Sequence, residues 1–387
     1  MMGIVLWPFL LPIAAASGWW FGRGHQETDL RSHTARLSRE YYVGLNYLLN
    51  EQPDKAVDIF IKLLEVDGDT VETHLALGSL FRRRGEVDRA IRVHQNLIAR
   101  PQLSREQRAE SLLALGRDYM SAGVLDRAER IFREIVTLGD EQAIAGLHFL
   151  LDIYQQEKSW DQAIKIAQTL KSVTGKPMHV TIAHHHCELA EAALKEMNVE
   201  AAQRQLKQAL NIDSNCARAT LLLARIEVNQ GNYAVAITLY QQVKEQDPRY
   251  LMEAIKPMTF CFEALNDIDV MCTYLNGLLE EYPRVTIVIT LADAFQKHHG
   301  TERAIHFLQK QLLQHPSLPG LCKLTEWQYD QSAADNKDKL LLQHNIAKQL
   351  IEDTPIYRCD NCGFSGKTLH WQCPGCKQWS RISPIRL

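Results

Sequence analysis

From about residue 37 the apolar positions recur three or four residues apart, and this helical pattern is itself periodic. Small residues mark the period. Ala56, Ala90, Ala128, Ala163, Ala202, Ala236, Val270 and Ala304 are separated by 34, 38, 35, 39, 34, 34 and 34 residues. Twelve residues before the first three stand Gly44, Gly78 and Gly116, and Ala190, Ala224 and Ala292 hold that place later. Aromatics recur beside them in the early repeats, at Tyr47, Phe81, Tyr119 and Tyr154. Segments such as Asp88-Arg89-Ala90-Ile91 and Asp161-Gln162-Ala163-Ile164 open a second helix each time. The pattern predicts antiparallel helix pairs whose backbones approach where Gly or Ala leaves room, with an aromatic filling the space alongside. Pro101 to Ser104 and Gly175 to Pro177 read as longer connecting loops, and Pro248 and Pro316 close repeats.

A helix pair every 34 residues resembles the tetratricopeptide repeat. Eight or nine such repeats fit between residues 37 and 350, with the one around Val270 divergent. The resemblance implies an all-α fold, a right-handed superhelix with a concave groove for proteins. It is specific for fold and silent on ligand.

The pattern changes at both ends. Residues 4–21 carry no charge, and eighteen helical residues span about 27 Å, against about 30 Å for a bilayer core. Trp19, Trp20 and Phe21 end the run as an aromatic belt, with Arg23 next. A cleaved signal peptide would place a basic region before the apolar run, and none is there. Residues 1–22 therefore read as an uncleaved transmembrane anchor and residues 23–36 as a juxtamembrane linker. Arg23, Arg31, Arg36 and Arg39 follow the run and no Lys or Arg precedes it, which leaves the rest of the chain in the cytoplasm.

At the other end, Cys359-Asp360-Asn361-Cys362 is answered after ten residues by Cys373-Pro374-Gly375-Cys376. A C-x-x-C turn aims two thiolates at one point, and two such turns supply the four soft ligands of a tetrahedral Zn²⁺ or Fe ion. Gly363, Pro374 and Gly375 suit the tight turns. Two disulfides are the competing reading. Nine cysteines in all, five of them scattered through helical sequence, fit a reducing compartment better. Residues 355–387 cannot bury enough apolar surface to fold alone, so an ion holds the module together. Tyr357, Phe364, Trp371 and Trp379 form a miniature core beneath the site, or else some of these rings face a partner or the preceding helices. Four thiolates fill the shell and leave no position for substrate, which argues for a structural or redox site.

Charge and motif searches remove other classes. A formal net charge of −3 gives no general attraction to nucleic acid, and the mildly basic tail is a weak signal for it. His184-His185-His186-Cys187 looks like a metal tract, but successive helical residues point about 100° apart and cannot converge on one ion. These residues read as a mixed core-and-surface helix. Arg82-Arg83-Arg84 and His298-His299 read as solvated helix ends beside the negative end of a dipole. Gly175-Lys176 and Gly366-Lys367 lack the partner glycine of a phosphate loop, and no hydrolase or dinucleotide motif occurs. The chain reads as a non-enzyme.

The order of apolar anchor, tetratricopeptide repeats and C-terminal four-cysteine module resembles the lipopolysaccharide assembly protein B family of bacterial inner-membrane proteins. The likeness includes Cys359-Asp360-Asn361-Cys362-Gly363-Phe364, Cys373-Pro374-Gly375-Cys376 and the tail Pro384-Ile385-Arg386. It implies a rubredoxin-like last module whose metal ligands are Cys359, Cys362, Cys373 and Cys376. Iron is the ion that resemblance favours, with zinc the alternative. Free rubredoxins have a longer insertion between their knuckles, which favours a structural role here. The resemblance further implies a non-enzymatic, membrane-tethered adaptor that tunes lipopolysaccharide synthesis. Its implied partners are the membrane protease FtsH, the deacetylase LpxC and other lipopolysaccharide assembly proteins. A homo-oligomer is compatible with it, and nucleic acid is not expected. The competing classes are a thiolate-iron electron carrier and a nucleic-acid-binding repeat protein.

Overall fold

The computed structural model describes residues 42–44, 46–47, 52–66, 71–139, 141–332 and 334–385. The anchor and linker expected at residues 1–36 lie outside them. Among the described residues no helix is long and apolar enough to cross a membrane. The chain divides into two compact units, residues 1–157 and 158–387.

The first unit contains α1 (Pro53–Val66), α2 (Val71–Arg83), α3 (Val87–Ile98), α4 (Arg105–Ser121), α5 (Leu125–Leu138) and α6 (Gln142–Gln156). Ser104 caps α4 through its side chain, and Gln107 returns the bond to the Ser104 N–H. The periodic glycines do more than admit a neighbouring backbone. A Cβ at Gly116 would come within 2.5 Å of the Phe132 ring, and one at Gly78 within 2.3 Å of His94. The residue sixteen positions on therefore lies flat against the glycine.

Arg82 departs from its expected place at a solvated helix end. Its guanidinium donates to the Asp118 carboxylate at 2.6 Å, and His94 Nδ1 contacts the other carboxylate oxygen at 2.5 Å. Both His94 and Asp118 are fully buried. Charge at the end of α2 is drawn inward because a buried carboxylate without a partner would be costly.

The second unit contains α7 (Trp160–Thr174), α8 (His179–Lys195), α9 (Val199–Ile212), α10 (Ala217–Asn229) and α11 (Tyr233–Gln246). A 3₁₀ turn (Pro248–Tyr250) leads into α12 (Leu251–Ala264), α13 (Ile268–Glu281), α14 (Val285–His299), α15 (Thr301–Gln314), α16 (Leu318–Gln331) and α17 (Ala334–Asp353). The marker alanines of both units are buried, but Val270 is 58% exposed. Met271 takes the inward place, four residues after the helix cap Asp267, as Ala236 lies four after Asn232. In the divergent repeat the interval from Ala236 to the inward residue, Met271, is 35 residues rather than 34. Lys297, His298 and His299 occupy the last turn of α14, as expected of cationic residues at a helix end.

After α17 the chain forms β1 (Tyr357–Cys359), β2 (Ser365–Gly366) and β3 (Ile382–Pro384). They make an antiparallel sheet in the order β2-β1-β3, with Arg358 opposite Ser365 on one side and Ser383 on the other. The open edge of β3 is blunted in two ways. Pro384 has no N–H to offer, and the Tyr250 hydroxyl donates to the Ile382 carbonyl at 3.0 Å.

Candidate functional site: a four-thiol centre on a helical platform

Two knuckles of the same construction bring the cysteines together. In the first, Gly363 N–H donates to Cys359 O and Cys359 N–H to Phe364 O. In the second, Lys377 N–H donates to Cys373 O and Cys373 N–H to Gln378 O. The fifth residue of each turn is left-handed, Gly363 at φ 77° and Lys377 at φ 59°. Gly375 admits the crossing of the turns, since a Cβ there would stand 3.3 Å from Cys362 Sγ.

The sulfurs of Cys359, Cys362, Cys373 and Cys376 all lie within 4.8 Å of one another. Sγ–Sγ separations are 3.8 Å for Cys359–Cys376 and 3.5 Å for Cys362–Cys373. A regular tetrahedron with 2.3 Å metal–sulfur arms has edges of about 3.8 Å, so the donor set fits one ion. The backbone N–H of Gln378 holds the Cys376 thiol down to about 6, which favours the thiolate a metal needs. Cys359 and Cys373 are buried and Cys362 is exposed, so the ion would lie near the module surface.

Ile382 completes a small core with Cys359 and Cys373, against which Tyr357, Phe364 and Leu369 pack. The two tryptophans turn the other way, onto the helices. Trp379 stacks on His184 of α8, with ring centroids 4.9 Å apart and planes 17° apart. It meets His185 and Trp160 edge-on at 5.7 and 6.4 Å. Trp371 lies 4.7 Å from the Tyr250 ring and joins the core formed by α10 to α14. Arg218 of α10 places its guanidinium 5.8 Å from the Trp371 ring and 6.0 Å from that of Trp379.

Polar contacts fix the register of this docking. His184 Nε2 meets Ser380 Oγ at 2.6 Å, the Tyr357 hydroxyl donates to Glu253 at 2.7 Å, and Arg249 pairs with Asp360 at 3.1 Å. Burial pushes His184 well below the ordinary imidazole range, with Arg218 and His185 adding to the shift. Burial also carries His185 down to about 4. Both rings are therefore neutral at physiological pH, because burial disfavours the charged imidazolium.

The tract from His184 to Cys187 is thus buried throughout, and its four side chains diverge. His184 and His185 meet the module, His186 bonds Gln205 at 2.7 Å, and Cys187 faces Cys216. The division between core and surface expected for these residues is not found, and nothing local in the sequence connects them with the tryptophans. Trp160 at the start of α7 and Arg218 in α10 were missed altogether. A buried arginine after an unremarkable loop gave no local signal.

The docked module also walls a cavity of about 1070 Å³. The helices contribute Met252, Ile289 and Lys323 to it, and the module contributes Tyr357, Asp360 and Pro384.

Helical repeats carrying a four-thiol knuckle module define a class, the tetratricopeptide proteins with a rubredoxin-type metal domain. Residues 73–106 and 187–250 match models of the tetratricopeptide repeat, and residues 357–384 match a model described as the rubredoxin metal binding domain. The chain belongs to the lipopolysaccharide assembly protein B family. It is 38% identical over 378 residues to lipopolysaccharide assembly protein B of Escherichia coli K12, covering 97% of both chains. It is 36% identical over 388 aligned positions to the protein of that name in Haemophilus influenzae, with the same coverage. Among solved structures, the MamA protein aligns with 47% of this chain and 94% of its own, at 19% identity and a TM-score of 0.36.

Proposed function

We propose that this protein is an adaptor that regulates lipopolysaccharide synthesis by presenting LpxC to the protease FtsH, and that it performs no chemistry itself. The observation that carries the reading is the metal module docked on the helices, where the two together line an open groove. Helical-repeat surfaces bind other proteins, and here the surface is completed by a lobe that depends on an ion. The names of the relatives support the lipopolysaccharide setting. The four cysteines hold the ion, which supplies a rigid tetrahedral cross-link, and resemblance to rubredoxin favours iron over zinc.

An anchor at residues 1–22 would confine the adaptor to the cytoplasmic face of the inner membrane. Confinement raises the local concentration of a captured substrate near a membrane protease without any new contact. The test is the decay of LpxC after translation is stopped. Decay should slow several-fold without this protein, and also when residues 1–22 are removed at native expression level. An unchanged decay rate in its absence would sink the degradation role and leave only a gathering role for other assembly proteins.

A further inference from the structure

Outside the metal centre, a second pair of thiols lies under the docking platform. Cys187 Sγ on α8 and Cys216 Sγ at the cap of α10 are 3.9 Å apart, and both are buried. Both lie in the apolar core between α8, α9 and α10, with Cys216 at its loop edge. Cys216 directly follows the exposed Ser214 and Asn215 of the α9–α10 loop, the side from which a small oxidant would approach it. Cys216 caps the first turn of α10, where the Ala219 N–H donates to the Cys216 carbonyl at 3.0 Å.

Arg218 adds a positive field. It is 4% exposed, and its Nη2 serves both Glu188 and Glu191, while Nε and Nη1 have no protein partner. The hydrogen bond from Cys187 lowers Cys216 against the opposing effect of burial, and the first turn of α10 and the Arg218 guanidinium add to that, which favours a thiolate there. The hydrogen bond with Cys216 and burial raise Cys187, which keeps it a thiol. An attacking sulfur thus stands next to a resolving one.

We propose that Cys187 and Cys216 form an oxidation site, at which a small peroxide converts the pair into a disulfide beneath the metal module. The Cys216 thiolate attacks the hydroxyl oxygen of the peroxide, the O–O bond breaks, and hydroxide or alkoxide leaves and takes a proton from solvent to become water or an alcohol, giving a sulfenic acid. The Cys187 sulfur then attacks the sulfenic sulfur. The S–O bond breaks, the departing hydroxide takes the Cys187 proton and leaves as water, and the S–S bond forms. Two electrons pass from the sulfurs to the peroxide.

The bond requires the sulfurs to close from 3.9 Å to about 2.05 Å, which pulls on the first turn of α10 and on α8. Those are the elements that carry Arg218 and the two histidines onto Trp379. The site is therefore placed to report oxidation to the grip on the module, without using the metal ligands.

The test titrates purified, metal-loaded full-length chain with hydrogen peroxide, alkylates the remaining thiols and maps the peptides by mass spectrometry. Metal content is followed in parallel. A Cys187–Cys216 linked peptide, two hydrogens lighter than its halves and cleaved by a dithiol, should form while the metal content is unchanged. Cys187→Ser should stop at a sulfenic acid on Cys216 that a 1,3-dione traps, and Cys216→Ser should leave Cys187 unmodified at the same dose. The proposal is overturned if the linked peptide appears only after the ion has left. Equal labelling of Cys187 in the Cys216→Ser chain also overturns it. The wild-type mapping decides the first point even if a serine variant fails to fold.

Discussion

His94 holds the place that Phe60 and Phe132 hold in the neighbouring repeats, and that exchange brings a carboxylate and a guanidinium inside. With Asp118 fully buried, removing it strands His94 and half of Arg82. Asp118→Ala should cost about 3–5 kcal/mol in denaturant unfolding of the first unit. Replacing His94 by Phe and Asp118 by Leu together should cost less, since no buried imidazole is then stranded and the partly exposed Arg82 guanidinium can turn to water. A loss below about 1 kcal/mol for Asp118→Ala would show that water reaches the cluster. A second residue-scale expectation concerns acid. His185 titrates at about 4 in the folded chain, against its ordinary 6.5. Between those values the unfolded chain takes a proton that the folded chain refuses, so stability is full above pH 6.5 and falls as pH drops toward 4. The slope approaches about 1.4 kcal/mol per pH unit for this one group. The thermal midpoint read by tryptophan fluorescence should drop between pH 7 and pH 5, and His185→Phe should flatten that drop.

The knuckle is an element that its own sequence specifies. Hydrogen bonds within six residues close each turn, and the four sulfurs converge because both turns repeat the same bond pattern. Cys373→Ser should therefore abolish stoichiometric metal by elemental analysis while the far-ultraviolet helical signal persists, since the helices do not depend on the ion for their backbone bonds. Near-normal metal content in that variant would refute a single four-thiol site. The same locality explains which parts were legible in the sequence. The helix period and the C-x-x-C spacing are short-range patterns, and the structure contains both. Val270 was misplaced because a fixed interval cannot register a one-residue shift that Met271 absorbs. The destination of Trp371 and Trp379 was left open because a ring in a small module carries no mark of a partner well over a hundred residues away. Arg82 looked like a helix end because its carboxylate lies 36 residues downstream.

On the scale of the molecule, the metal module shares a compact unit with α7 to α17, while α1 to α6 belong to the other unit. Stripping the ion with a strong chelator should therefore loosen the second unit selectively. Hydrogen exchange should rise in α8, α10 and α12, and α1 to α6 should be unchanged. Uniform loss of protection along the chain, or none, would contradict that division.

The contact between His184 and Ser380 joins residues 196 apart, and that between Tyr250 and Ile382 joins residues 132 apart. A ribosome finishes the platform long before it makes the lobe that covers it. Until the last segment emerges, the rings of His184, His185 and Tyr250 have no cover from the module. A chain cut short by a nonsense codon, or made when metal is scarce, carries this bare apolar face into the cell. Residues 357–384 thus cover the platform last, and copies that lack them should be cleaved faster by added protease in α8 and α10 than the covered chain.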